Sequence, residues 1–183
     1  MLKQTRKMAA ILFCASAVVL ASGVHMAAVE AAHVRFDNAR IAEVYRYAMH
    51  RSPSFGELIA TLDQLDRIVY VEERGCQHRV RSCLVLMPTP GGRNLVVRID
   101  PRQAMLSAAA QLAHELYHAV EVAREPDVVD ETSMLSLFSR IGERSCDGGA
   151  DDCWETRAAR AFEALVVREI EGGKRPQPQD AAK

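Results

Sequence analysis

Apolar positions recur at helical spacing over residues 34–50, where Ile41, Val44, Tyr45, Ala48 and Met49 share a face, and the Ser52-Pro53 step ends the run. A second helix is predicted after it, with Ser54 and Glu57 as a capping box ahead of Leu58, Ile59, Leu62 and Leu65. The pattern then turns to strands: 68–73 is rich in β-branched and aromatic residues, 83–87 is a short apolar run, and 95–99 follows the Pro90-Gly91-Gly92 turn. Helices return at Asp100-Pro101-Arg102-Gln103, an N-terminal signature with Asp100 as cap and Pro101 at the first helical position. That helix should run to about Arg124, and its apolar stretch over 104–113 predicts burial nearly all round. Further helices are expected over 131–144 and 153–171. The sum is an α+β fold in which a small three-stranded sheet, antiparallel or mixed, packs with a central helix and C-terminal helices.

The first residues do not share this pattern. Lys3, Arg6 and Lys7 precede an apolar, Ala-rich stretch over 8–24, the layout of a secretory signal, with Ala28, Ala31 and Ala32 as small residues for cleavage. Residues 1–31 are therefore read as a signal peptide, 32–173 as one domain and 174–183 as a flexible tail. Ser16, Ser22, Gly23 and His25 interrupt the apolar stretch, so no stable membrane span is expected after cleavage. Without residues 1–31 the chain keeps 20 positive and 23 negative side chains, a net −3 that gives no pull toward nucleic acid.

Cysteine spacing fits an exported protein, periplasmic or secreted. Beyond Cys14 four cysteines remain, and local pairing of Cys76 with Cys83 and of Cys146 with Cys153 closes two short loops. Six residues separate the partners, which is wrong for a four-cysteine zinc site.

Candidate chemistry sits in the central helix as His114-Glu115-Leu116-Tyr117-His118, an H-E-x-x-H match. Residues four apart share a helix face, so both imidazoles can meet one zinc ion, while Glu115, rotated by about 100°, can reach a water bound to it. With 6 His and 14 Glu in 183 residues, chance supplies about 0.015 such matches per sequence. The same face carries Ser107, Gln111, Glu121 and Glu125, a polar stripe along an apolar helix that needs partners once buried.

Catalytic zinc takes three protein ligands plus water. His25, His33, His50 and His78 are poorly placed for the third, and no His follows the motif, so a downstream carboxylate is expected. Glu155 falls in line with Ala158, Ala159, Phe162 and Val166 on an apolar face, though with Asp152 as cap it can equally complete a capping box. Glu163 and Glu131 are alternatives, and Glu121 suits an outer partner to a ligating histidine. Tyr70, His78 and Arg157 are candidates for steadying an oxyanion, whereas Tyr117 lies on another face. The sequence has no Gly-rich phosphate loop and no Ser or Cys nucleophile motif.

The run L-A-H-E-L-Y-H-A-V-E, with E-T-R-A-A-R-A-F-E downstream and S-P-S-F-G-E-L-I-A-T-L upstream, resembles small bacterial gluzincin-type metallopeptidases. These include effector and polymorphic-toxin peptidase domains with the pattern H-E-L-x-H-A followed by E-x-R-A-x-x-x-E-N. The resemblance covers about residues 52–168 and departs at Ala164, where the pattern has Asn. It implies a minimal zincin-like domain, His114, His118 and Glu155 as zinc ligands, Glu115 as general base, and a protein or peptide substrate. The strand at 95–99 is expected to serve as an edge that aligns an extended peptide. A non-catalytic metal-binding envelope protein that keeps the same frame is the alternative, and Glu115, which has no use in a closed structural site, separates the two.

Overall fold

The computed structural model describes residues 33–76, 80–89, 92–145 and 154–172. The predicted signal 1–31, the tail 174–183, the Cys146–Cys153 pairing and His78 lie outside the described residues.

The first element among the described residues is a strand, where the sequence pattern predicts helix. β1, Val34–Phe36, pairs in parallel with β2, Val69–Glu73. Three residues are too few to show a period of two, so their strand character comes only from the partner. α1, Ala39–Arg51, begins where Asn38 accepts a bond from the Ile41 N–H. α2 is Pro53–Leu62, and its cap is Ser52 rather than Ser54. Ser52 Oγ accepts from the Phe55 N–H at 3.1 Å with Pro53 at the first helical position, while the Ser54 N–H and hydroxyl go to Glu169, 115 residues away. Ile41, Val44, Phe55 and Leu62 are fully buried, each contributing roughly 1.5–3 kcal/mol of apolar burial.

β3, Ser82–Thr89, and β4, Gly92–Ile99, complete a four-stranded mixed sheet of order β1-β2-β4-β3, against the three strands expected. β4 runs parallel to β2 and antiparallel to β3. It is therefore interior, and the expectation that 95–99 forms an edge is corrected: β3 and β1 are the edges. Val69, Val71, Leu95, Val97 and Ile99 alternate onto one face and join the helices in the core. The Cys76–Cys83 disulfide is present and ties the start of β3 to the segment after β2.

α3 spans Met105–Ala123 and begins later than the Asp100 signature suggests. Asp100 instead accepts from the Arg102 N–H at 2.9 Å and from the Arg102 guanidinium, a local turn that outcompetes helix initiation. The burial predicted for this helix holds: Ala108, Ala109, Leu112, Ala113, Leu116 and Ala119 are all inaccessible. α4, Glu131–Ile141, is capped by Asp130 and Ser133 and ends at Gly142, short of the predicted residue 144. There the chain forms β5, Glu143–Arg144, antiparallel to β6, Trp154–Glu155. α5, Arg157–Gly172, follows, so Trp154 and Glu155 are strand and not the first turn of the last helix. Among the described residues no helix is long and apolar enough to cross a membrane.

Candidate metal centre

α3 carries His114, Glu115 and His118 at one level, all buried to within a few per cent. β6 brings Glu155 against them. The Nε2 atoms of His114 and His118 lie 3.1 Å apart, and Glu155 Oε2 lies 2.7 Å from the first and 3.5 Å from the second. Among the described residues these three side chains form the one group that can hold a metal ion.

Each imidazole is oriented from behind. His114 Nδ1 lies 2.9 Å from Glu163 Oε2 on α5, and His118 Nδ1 lies 2.7 Å from Glu121 Oε2, one turn further along α3. A carboxylate accepts, so Nδ1–H is the donor in both rings, which turns both Nε2 atoms toward one spot. Glu155 Oε2 is buried and converges on that spot, with the two imidazoles as its polar neighbours. Three electron-rich atoms this close need a positive charge between them, which a proton supplies in the metal-free protein and a metal ion can supply in its place. Ligands about 2.0–2.1 Å from a tetrahedral ion sit roughly 3.3 Å apart, close to the separations found here, so the donor set fits zinc.

The charges of the metal-free protein report the same demand. Burial pushes His114 down, but the Glu155 and Glu163 carboxylates outweigh it and hold the imidazole up at about 10. His118 behaves alike, burial opposed by Glu121 and Glu155, and rises to about 9. Burial pushes Glu155 up, yet the two imidazoles bring it down to about 2. Glu115 differs: burial dominates and holds its carboxyl above the ordinary carboxylate range.

Glu115 faces the same cavity as His114 and Glu155, a cleft of about 220 Å³ also lined by Ser82, Gln111 and Glu163. The exposed Arg81 and Arg160 border it as well. Phe138 of α4 stands edge-on to His118, ring centroids 5.1 Å apart, and excludes water from that side of the ring.

The alternatives weighed from sequence now separate. Glu155 does not cap α5; Thr156 does, accepting from the Ala159 N–H at 3.1 Å. Thr156 also donates to Glu121 Oε1 at 2.9 Å, so the residue after Glu155 steadies the carboxylate behind His118. Glu163 meets the far nitrogen of His114 and Glu131 is exposed on α4, so neither joins the group. Arg157 is paired with Glu143 at 3.3 Å, Tyr117 stacks near Phe162, and neither they nor Tyr70 line the cavity. Sequence reasoning missed Ser82 and Thr156. Both are small hydroxyl residues whose roles depend on pairing between distant segments.

No family model, no curated protein and no solved structure matches this chain.

Proposed function

We propose that the chain is an exported zinc-dependent peptidase that hydrolyses a peptide bond with Glu115 as general base. The observation that carries this reading is the convergence of one atom each from His114, His118 and Glu155 on a single point, with Glu115 lining the same cleft as His114 and Glu155. A structural site would enlist a fourth protein ligand, whereas three ligands and an adjoining cleft leave a position for water and substrate. Zinc held there would supply Lewis acidity toward a carbonyl and acidify a water. His114, His118 and Glu155 would hold the ion, with Glu163 and Glu121 fixing the ring orientations. Glu115 takes the proton from the attacking water and passes it to the leaving amine, a transfer favoured by burial, which raises the proton affinity of its carboxyl. The Cys76–Cys83 disulfide and the signal-like N-terminus support function in an oxidising compartment, periplasmic or extracellular.

The test is elemental analysis and peptide-library hydrolysis on the mature protein. One zinc per chain, lost in His118→Ala and in Glu155→Ala, is expected, with Glu115→Gln retaining zinc and losing turnover. Wild-type protein without metal, or Glu115→Gln that hydrolyses at the wild-type rate, overturns the proposal.

A further inference from the structure

We propose that Ser82 is a positioning residue that aims Glu115, an inference that rests on the reading of Glu115 as general base. The Ser82 hydroxyl lies 2.7 Å from Glu115 Oε1 and 2.7 Å from Gln111 Oε1. Ser82 is 8% exposed and Glu115 5%, so water does not substitute freely for this contact.

The contact is one link in a chain. Gln111 Nε2 donates to Glu163 Oε1 at 2.9 Å, and the other oxygen of Glu163 accepts from His114 Nδ1 at 2.9 Å. The hydroxyl has one proton for these two acceptor oxygens, and the ionised Glu115 carboxylate is the stronger acceptor, so Ser82 donates to Glu115 while Gln111 is held by Glu163. A glutamate has three side-chain torsions, and a buried carboxylate that loses a partner turns to find another. With Oε1 held by Ser82, proton transfer falls to Oε2.

The backbone that presents Ser82 is fixed on both sides. Arg81 O accepts from the Asp100 N–H at 2.8 Å and from Gln103 Nε2 at 3.0 Å. Cys83 is held by the disulfide to Cys76, and the ladder to β4 begins at Ser82 itself, opposite Ile99. A hydroxyl meant to aim a base needs such a rigid platform, because a displacement near 1 Å costs about 100-fold in rate.

The experiment measures kcat, KM and zinc content for Ser82→Ala and Ser82→Thr, each alone and combined with Glu115→Gln. Ser82→Ala is expected to lower kcat 10- to 100-fold with KM and zinc content unchanged. Ser82→Thr, which returns the hydroxyl, recovers most of it, and Ser82→Ala adds no loss in the Glu115→Gln background. Full kcat in Ser82→Ala, or the same fractional loss whether or not Glu115 is intact, overturns the role. If wild type itself hydrolyses nothing, the peptidase reading falls. Ser82 is then judged by urea unfolding of wild type, Ser82→Ala, Glu115→Gln and the double variant: coupling between positions 82 and 115 supports the contact, and additive effects overturn it.

Discussion

Gly142→Ala tests whether the short β5–β6 ladder sets the position of Glu155. A Cβ at residue 142 would lie 2.8 Å from Phe138 O and 2.9 Å from Glu155 O, whereas ordinary contact begins near 3.4 Å. Both obstacles are backbone atoms, so no side chain can swing away. Phe138 O is held in place by the Gly142 N–H at 2.8 Å, so the yielding partner is the strand that carries Glu155. Relief requires a shift of about 0.5 Å, more than the roughly 0.2 Å tolerance of a metal–ligand bond. The expected outcome is a stability loss of about 1–3 kcal/mol, as for overpacking elsewhere, and a 10- to 100-fold weaker affinity for zinc. Urea unfolding and competition against a chromophoric chelator read the two effects. Gly56→Ala is the control: nothing lies within 4 Å of its added Cβ, and in a helix interior it should stabilise by about 0.5–1 kcal/mol. Wild-type zinc affinity in Gly142→Ala would refute the claim that this close approach places the carboxylate.

Three further outcomes are expected. Burial pushes the Glu169 carboxyl up, but it accepts from the Ser52 hydroxyl and from the Ser54 N–H and hydroxyl, and these bonds together hold it below its ordinary range. Glu169→Ala should therefore cost roughly 1–3 kcal/mol, and the wild-type advantage, present above about pH 4.3, should vanish as pH falls further; parallel acid unfolding of both proteins checks it. The double variant Cys76→Ser with Cys83→Ser opens a crosslink of sequence separation 7 and should lose about 2.4 kcal/mol by loop-closure entropy, which coincident urea midpoints would contradict. In the chelator-treated protein, imidazoles raised to about 10 and about 9 stabilise fully below their unfolded value near 6.5 and lose that contribution as pH rises through 9–10. Its urea midpoint should fall over that window while the zinc-loaded protein holds steady, and a flat metal-free profile would count against the charge arrangement.

What could be read in the sequence is what one element decides by itself. His114, Glu115 and His118 lie within two turns of α3, so their shared face follows from helical period alone, and the polar stripe through Gln111 and Glu121 follows with it. The α+β class and the Cys76–Cys83 loop were legible for the same local reason. The errors fall where a distant partner decides. Residues 34–36 are strand because β2 lies beside them, Ser52 displaces Ser54 as cap because Glu169 claims Ser54, and 95–99 is interior because β1 and β2 assemble on its other side. A helical face gives Glu155 its inward direction in the sequence, but α5 does not begin until residue 157, and it is the β6 strand that brings Glu155 to the histidines.

The candidate centre is consequently a property of α3 packed on α5 rather than of the motif. Glu163 on α5 fixes the ring of His114, and Thr156, which caps α5, fixes Glu121 behind the ring of His118. Glu155 enters one residue before that cap, on the strand that Gly142 admits. An H-E-x-x-H helix alone supplies two imidazoles free to rotate about χ1 and χ2. It is the arrival of residues 154–172 that aims both Nε2 atoms at one point and adds the third oxygen there. The orientation of each ring and the approach of the carboxylate thus depend on the docking of α5, so any metal affinity of this site should develop with tertiary folding and not with helix formation.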